Sequence, residues 1–360
     1  MLLNGRLMVS FCMSLVLPMT VSAASITFNP FVSQTDINTA LGGGGGNGTA
    51  VIGFAYAGNK FVGSVYPDNG QLYQTNLLGG GVTTFGAPIP GGRDELYVSS
   101  SLGLGGFPSR DIYVSAGSVN HGLYHFTNDG SSQGTFSVTG ATSLNSEYVK
   151  GIAFDPYGNY GYDMLVTTFN GNIYTVDTLG VAKLLASTGQ VIEGIDFAPG
   201  GFGPVGGQVV VASETASTLF AISPGGVVTN LGVSITSAEE IGFVPANLGL
   251  GGSVEGFYAA GYPSYGIGKA DASQFAGMLG DAIVTGELGT NADPVSDVHW
   301  NGTNFVVSKV GNLSGQAEDG IFVTQAIIQG GSGSVPEPAT LALLGLGLAG
   351  LGFSRRKRIT

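Results

Sequence analysis

A short phrase built from glycine, isoleucine, phenylalanine and proline recurs along the chain and constrains its fold more than any other feature. Gly151–Pro156 reads Gly-Ile-Ala-Phe-Asp-Pro, and Gly194–Pro199 reads Gly-Ile-Asp-Phe-Ala-Pro. Related segments are Val51–Phe54, Ile241–Pro245 and a degenerate copy at Val298–Asn301, with aromatic anchors at positions 54, 154, 197, 243 and 300. The later spacings are 43, 46 and 57 residues, and the first interval of 100 residues holds two units, the second starting near Glu95. Repeats of this length indicate an architecture assembled from similar modules.

Each unit is predicted to contain four short strands separated by turns. Val209–Ala212 is a typical second strand, Thr218–Ile222 a third, and Gly225–Thr229 a glycine turn with a short fourth strand. The other predicted second strands are Met164–Thr167, Phe257–Ala260 and Phe305–Ser308. Four strands in about 45 residues is the size of a β-propeller blade. Residues 51–329 are therefore predicted to form an all-β propeller, most simply with six four-stranded blades.

Other architectures stay open at this point. Seven blades would result if Ile26–Phe28 belonged to a further unit, and a β-sandwich or an irregular β-solenoid would also use many short strands. We expect residues 25–50 to supply one N-terminal strand and a flexible glycine-rich linker. That strand is predicted to pair with the last blade around Ile321–Thr324, because closing the ring removes exposed sheet edges.

The composition favours a folded β-rich protein with an acidic surface. Glycine accounts for 63 of 360 residues and charged residues for only 10%, whereas 43% are hydrophobic. Outside the two terminal segments there are seven basic and 23 acidic residues, a net charge of −16. Such a surface repels nucleic acid, so no nucleic-acid partner is expected. The single cysteine, Cys12, lies in the N-terminal leader, so the sequence predicts no disulfide or thiolate chemistry in the body.

Residues 1–24 have the pattern of a secretory signal peptide with an apolar helix. Arg6 supplies the positive charge, Leu7–Leu17 is apolar, and Val21–Ala23 offers small residues for a signal peptidase. A buried N-terminal helix is the alternative. The pattern predicts export through the inner membrane.

The C-terminal segment combines three features in a fixed order. After the spacer 330–334 come Val335, Pro336, Glu337 and Pro338, then the apolar run Ala339–Phe353, and finally Arg355, Arg356, Lys357 and Arg358. Fifteen helical residues span about 22 Å, so a transmembrane helix needs local thinning of the bilayer. The basic residues would remain on the cytoplasmic side.

Residues 335–360 resemble the PEP-CTERM sorting signal, in which a Pro-Glu-Pro motif precedes an apolar helix and an arginine-rich end. The resemblance implies recognition by a membrane-bound exosortase, cleavage near the motif and transfer to the cell surface or extracellular matrix. A plain single-span anchor is the alternative. The repeat length and the Gly-Ile-x-Phe-x-Pro phrase also resemble six-bladed propellers of the NHL and SMP-30/gluconolactonase groups.

Acidic residues stand where the innermost strands of the predicted blades begin. The candidate metal or ligand residues are Glu193, Glu239, Glu240 and Asp297. Carboxylates that converge on one axis repel one another unless a cation or Lys150 compensates them. Oxygen ligands favour Ca²⁺ or Mg²⁺, and the resemblance to the SMP-30-like group implies a divalent metal in this region. Solvated strand ends or salt-bridge partners are the alternative interpretation.

No catalytic residue is predicted. His121 and His125 are four residues apart and would stand about 13 Å from each other on one strand, and His299 is expected to be a packed residue. The sequence predicts an exported, exosortase-sorted β-propeller that is a binding or structural component of the cell surface or matrix, for example for polysaccharide. The alternatives are a divalent-metal-dependent hydrolase or lactonase of SMP-30-like type and a passive surface component.

Overall fold

The computed structural model describes residues 25–42, 50–66, 70–92, 94–289 and 292–324. The predicted signal peptide, the spacer 330–334 and the sorting segment 335–360 lie outside the described residues. Within the described ranges no helix has the length and apolar character needed to cross a membrane.

The chain begins with strand β1 (Asn29–Val32) and helix α1 (Gln34–Ala40). Ser33 caps this helix, because its hydroxyl accepts a hydrogen bond of 3.1 Å from the N–H of Asp36.

The first four blades follow one another along the chain. Blade 1 contains β2 (Ala50–Tyr56), β3 (Lys60–Tyr66), β4 (Leu72–Asn76) and β5 (Thr83–Phe85). Blade 2 contains β6 (Val98–Leu102), β7 (Ser109–Ser115), the helical turn α2 (Gly117–Asn120), β8 (Leu123–Phe126) and β9 (Gln133–Phe136). Blade 3 contains β10 (Thr139–Gly140), β11 (Val149–Phe154), β12 (Met164–Thr168), β13 (Asn172–Val176) and β14 (Val181–Ser187). Blade 4 contains β15 (Ile195–Phe197), β16 (Val209–Ser213), β17 (Thr218–Ile222) and β18 (Val228–Asn230).

The last seven strands are shared between blades 5 and 6. They are β19 (Ala238–Phe243), β20 (Gly256–Tyr262), β21 (Gly266–Asp271), β22 (Ala282–Gly286), β23 (Asp293–Trp300), β24 (Phe305–Leu313) and β25 (Gln316–Val323). Short 3₁₀ helices occupy Thr142–Ser146, Gly203–Val205 and Ala272–Phe275. From the axis outwards, blade 5 has the order β19-β22-β23-β24 and blade 6 the order β25-β20-β21-β1.

The second strand of each blade is sandwiched between its neighbours, which explains its apolar sequence. All five residues of β16, Val209–Ser213, are buried, because both faces of the strand meet other side chains. The described residues form six apolar clusters, each shared by two adjacent blades. Six interfaces close a ring of six blades, so the predicted six-bladed propeller is confirmed.

Turns between strands depend on glycine at a few positions. Gly180 joins β13 to β14 with a φ of 77°, a conformation that other residues rarely adopt. A Cβ atom there would also lie 2.6 Å from the carbonyl oxygen of Ser137. Asp177 completes this turn by accepting hydrogen bonds from the N–H groups of Leu179 and Val181.

The strand order of blades 5 and 6 differs from the predicted order at two places. Val298–Asn301 was expected to be an innermost strand, but it belongs to β23, the third strand of blade 5, and Phe305–Ser308 belongs to the outermost strand β24. The reason is that the hairpin β20-β21 leaves blade 5 after β19 and joins blade 6. The innermost strand of blade 6 is β25, and Phe322 takes the place expected for Trp300.

The N-terminal strand joins the predicted blade at the opposite edge. β1 pairs with β21, where Asn29 lies opposite Lys269, and not with residues 321–324 of the innermost strand. Blade 6 is thus closed by the two ends of the described chain, one at its outer and one at its inner edge.

Candidate functional site

Acidic side chains gather at the end of the channel where the innermost strands begin. We define the mouth cluster as Glu95, Lys150, Glu193, Glu239, Glu287 and Glu318. Lys150, Glu239 and Glu318 lie near the starts of β11, β19 and β25, and Glu193 precedes β15. The cluster therefore brings five carboxyl groups and one ammonium group to one place, as expected for Glu193, Glu239 and Lys150.

Lys150 compensates part of this negative charge. Its Nζ lies 2.9 Å from Oε2 of Glu193 and also contacts Oε2 of Glu95. The Tyr97 hydroxyl donates a 2.7 Å hydrogen bond to Glu193, and the rings of Tyr97 and Tyr148 lie 5.1 and 5.2 Å from Nζ. Burial opposes the charge of Lys150, but the carboxylates of Glu193 and Glu95 outweigh burial and raise its pKa.

Glu239, Glu287 and Glu318, the remaining carboxyl groups of the mouth cluster, form no ion pair with any residue that the structure describes. Glu239 is 2% exposed, and its Oε2 has no hydrogen-bond partner among the described residues. Burial, and then the negative charges of Glu193 and Glu318, hold the pKa of Glu239 well above its usual range. Burial and neighbouring carboxylates likewise raise the pKa of Glu287 to about 7 and that of Glu318 well above its usual range.

The residues of the mouth cluster do not fit the divalent metal that the resemblance implies. In the described parts of the chain, no three His, Asp or Glu side chains are arranged to hold a metal ion. The ammonium of Lys150 occupies the position between Glu95 and Glu193 that a metal would need.

A cavity of about 530 Å³ lies along the channel, and eight of its lining residues are aromatic. The aromatic residues lining it are Phe54, Tyr56, Tyr97, Phe154, Tyr157, Phe197, Phe243 and Phe322. Five of them are the phenylalanines of the innermost strands, and four of these five, at positions 54, 154, 197 and 243, are aromatic anchors of the repeated phrase. Tyr97 and Glu193 line the cavity as well as the mouth cluster, so the two features adjoin.

Three further carboxyl groups line the cavity: those of Asp196, Glu240 and Asp319. Asp196 accepts the N–H of Phe243 at 2.8 Å from the next blade, and Asp319 accepts the N–H of Phe54 at 2.6 Å. Each also accepts the N–H of the residue that follows it in the chain, so both oxygens are engaged. Asp196 and Asp319 therefore join the innermost strands of neighbouring blades.

Burial raises the pKa values of all three groups. The pKa of Asp196 rises to about 6 and that of Asp319 to about 7, although N–H donors partly offset burial in both. Burial, and then the charges of Asp319 and Asp196, hold the pKa of Glu240 well above its usual range. Negative charge on these three carboxyl groups is therefore costly at the wall of this cavity.

Asp297 does not belong to either feature, which corrects the expectation that it starts an innermost strand. It lies on β23, and its Oδ2 is 3.2 Å from Nδ1 of His299. His125 similarly pairs with Asp111 at 2.9 Å within blade 2. His121 lies between α2 and β8, outside the strands, and has a backbone φ of 56°.

Sequence reasoning missed Asp196, Asp319, Glu95, Glu287 and Glu318. A signal existed for Asp196, because it stands inside the phrase directly before the aromatic anchor. No comparable signal existed for Asp319 and Glu318, because β25 was not identified as an innermost strand.

The stability of the protein is expected to fall as the pH rises from about 5 to about 8. Asp196, Asp319 and Glu287 have native pKa values of about 6, 7 and 7, whereas unfolded carboxyl groups titrate near 4. Between these values the native state binds more protons than the unfolded state, so the free energy of unfolding decreases with pH. The stabilisation is complete below about pH 4 and is lost as the pH passes through 6 to 7.

Calorimetry at pH 5 and pH 8 measures this effect as a lower melting temperature at pH 8. Glu287→Gln is expected to reduce the slope, because it removes one titrating carboxyl group. A melting temperature that is equal or higher at pH 8 would contradict the raised pKa values.

Comparison with known proteins identifies the C-terminal motif and supports no further assignment. Residues 334–357 match the PEP-CTERM protein-sorting motif, and no relative of the chain is found among curated proteins. Among solved structures, virginiamycin B lyase from Staphylococcus aureus is similar with a TM-score of 0.44 and 11% identity, over 79% of this chain and 88% of that one. A streptogramin B lyase gives 0.46 and 11% over 82% and 90%, and a predicted gluconolactonase gives 0.38 and 10% over 69% and 92%.

These similarities concern the fold alone. The sorting motif establishes that the chain is an exported protein whose C-terminal membrane anchor is processed by exosortase.

Proposed function

We propose that the protein is delivered to the cell surface or the extracellular space and acts there as a binding protein. Its ligand is a small organic molecule that enters the central cavity. The observation that carries this proposal is the cavity of about 530 Å³ with aromatic walls and carboxyl groups at its surface. Ligand sites in proteins are typically concave, mostly apolar and equipped with a few polar groups that fix orientation.

The chemistry of the wall supports binding over a purely structural role. A core packed for stability alone would bury apolar side chains, because an unpaired carboxyl group costs free energy in an apolar place. Here Asp196 and Asp319 join adjacent blades by hydrogen bonds, whereas the carboxyl group of Glu240 forms no such bond between blades among the described residues. Glu240 therefore supports a role in binding more than a role in the fold.

The hydrolase alternative has less support. A metal-dependent hydrolase needs an ion that activates water, and the residues of the mouth cluster do not fit such an ion. The ion pairs of Lys150 with Glu95 and Glu193 hold these three side chains in place at this end of the channel. Delivery outside the cell would bring the cavity into contact with components of the medium or of the extracellular matrix.

We expect that small organic molecules raise the melting temperature of the protein recovered from the surface or medium of producing cells. A ligand at 100 times its dissociation constant adds about 2.7 kcal/mol of stability. In Ala246→Trp an indole is placed at the exposed rim of the cavity, and the ligand-induced shift should disappear. Leu250→Trp is the matched control, because Leu250 is 80% exposed in the same loop and does not line the cavity.

Two results would contradict the proposal. A propeller found only in the cytoplasm of producing cells would refute delivery to the outside. A screen without any stabilising molecule, or with shifts that persist in Ala246→Trp, would refute binding in the cavity.

A further inference from the structure

Acidic side chains outnumber basic ones in the lining of the cavity. Four carboxyl groups line it, those of Glu193, Asp196, Glu240 and Asp319, and Arg110 is the one cationic side chain among the lining residues. The guanidinium of Arg110 lies 5.2 Å from the centre of the Tyr56 ring, at blade 2. Glu193 is already neutralised by Lys150 at 2.9 Å. In the described part of the chain, no cationic side chain forms an ion pair with Asp196, Glu240 or Asp319.

These three carboxyl groups are not equivalent. Both oxygens of Asp196 and of Asp319 accept backbone N–H groups, which fixes their orientation. Glu240 interacts with the N–H of Ile241 and lines the cavity between the other two acids. Of the three, Glu240 is the group best placed to contact a ligand.

The walls favour one class of positive charge. Aromatic rings attract a cation to their faces but provide no oxygen ligands, so the rings that stay accessible at the cavity suit an organic ammonium ion better than a metal ion, whereas rings such as those of Phe54 and Phe197 are buried between blades. Tyr56 with Arg110 already shows such a contact at the rim of the cavity. Tyr157, which is 41% exposed, adds a second aromatic ring at the rim.

We propose that the cavity binds an organic ammonium ion, with the cationic group held between the carboxylate of Glu240 and the aromatic wall. This inference rests on the proposed function and specifies the chemical class of its ligand. The single positive charge of the ligand compensates part of the charge that the three acids would carry, as Lys150 does at the mouth cluster.

The affinity should depend on pH in one direction. The charged groups that share the cavity lining with Glu240 are Asp196 on β15, Asp319 on β25, Glu193 before β15 and, with the opposite sign, Arg110 on β7; the tyrosines in the lining are Tyr56, Tyr97 and Tyr157. Burial raises the pKa of Asp319 to about 7 and, with the charges of Asp319 and Asp196, holds the pKa of Glu240 well above its usual range, so a cation that binds must displace protons. A ligand with a permanent charge is therefore expected to bind more tightly at pH 8 than at pH 5.

Choline and its uncharged isostere 3,3-dimethylbutan-1-ol test the inference with the full-length chain. Saturation-transfer NMR and calorimetric titration should detect binding of choline, and the isostere should bind at least about tenfold more weakly. Glu240→Gln keeps the shape and should weaken choline binding by about tenfold or more. Glu318→Gln is the matched control: it removes a buried carboxyl group of the mouth cluster that does not line the cavity, and should leave the affinity within about twofold.

The outcomes separate this inference from the proposed function. Equal affinity for both compounds would leave a cavity that binds small molecules but would overturn the preference for a cation. Absence of choline binding by the wild-type chain would overturn the inference, while the screen with Ala246→Trp would still decide the proposed function. Equal losses in Glu240→Gln and Glu318→Gln would indicate a general field effect and refute the contact with Glu240.

Discussion

Replacement of Lys150 by methionine is expected to lower the free energy of unfolding by about 3–5 kcal/mol at neutral pH. Lys150 is 6% exposed and Glu193 is 5% exposed, so the substitution leaves a buried carboxylate without its partner. Methionine retains an apolar chain of similar length, which limits the loss to the charge and its hydrogen bonds. Urea denaturation at pH 7 and pH 5 measures the effect. The loss should be smaller at pH 5, where the carboxyl group can take up a proton.

Two further variants make the result specific. Lys309→Met removes an exposed lysine of β24 and should change stability by no more than about 0.5 kcal/mol. Lys150→Met combined with Glu193→Gln should recover part of the loss, because no unpaired charge then remains at that pair. A loss below about 1 kcal/mol for Lys150→Met would mean that the ion pairs with Glu95 and Glu193 do not hold the mouth cluster together.

The second large effect is expected at Asp155, in the loop that follows the innermost strand of blade 3. Its side chain is fully buried and accepts four backbone N–H groups. The donors are Tyr157 at 2.9 Å, Gly158 at 3.1 Å, Tyr160 at 2.7 Å and Tyr162 at 3.1 Å. Asp155→Ala leaves all four donors unsatisfied and should cost at least about 3 kcal/mol.

The consequences of Asp155→Ala should reach the cavity. The loop carries Tyr157 at the rim, and Val209 of the next blade donates its N–H to the hydroxyl of Tyr160 at 2.9 Å. Asp155→Asn keeps one acceptor oxygen and should lose less stability than Asp155→Ala. Thermal unfolding and choline titration of both variants measure the two effects. Equal stability of wild-type protein and Asp155→Ala would show that water replaces the carboxylate at no cost.

The innermost strands could be predicted from the sequence because their geometry limits the residues that fit. A Cβ atom at Gly151 would lie 2.8 Å from the carbonyl oxygen of Glu193, and one at Gly194 would lie 2.6 Å from that of Glu239. Adjacent blades approach each other this closely at the axis, so glycine is required at these two positions. The aromatic anchors follow at a constant offset and mark the same strands.

The strand order of blades 5 and 6 could not be predicted in the same way. The hairpin of β20 and β21 is buried on both faces at most of its positions, so its pattern fits either blade. Only long-range pairing, such as Phe257 with Phe322, decides between them. The error moved the last aromatic anchor from Phe322 to Trp300 and with it the expected acid from β25 to Asp297.

The mouth cluster could be predicted in part. Glu193, Glu239 and Lys150 precede or begin strands that the phrase identifies, so their convergence followed from the fold. Whether a metal or Lys150 balances the carboxylates depends on side-chain distances that no spacing in the sequence reveals. The cavity carboxyl groups of Asp196 and Asp319 were missed because each is defined by an N–H group from another blade.

The distant origins of the strands in blade 6 determine when the molecule can finish folding. Its four strands come from residues 29–32, 256–271 and 316–323, so its contacts join segments separated by more than 200 residues. Folding driven by such distant contacts is slow, because the chain entropy is lost before the contacts form. An exported chain therefore cannot complete its ring until the final strand has left the translocation channel. Until then, earlier blades have one face without a packing partner. Closure of the propeller ring and arrival of the sorting motif at the membrane are thus nearly simultaneous.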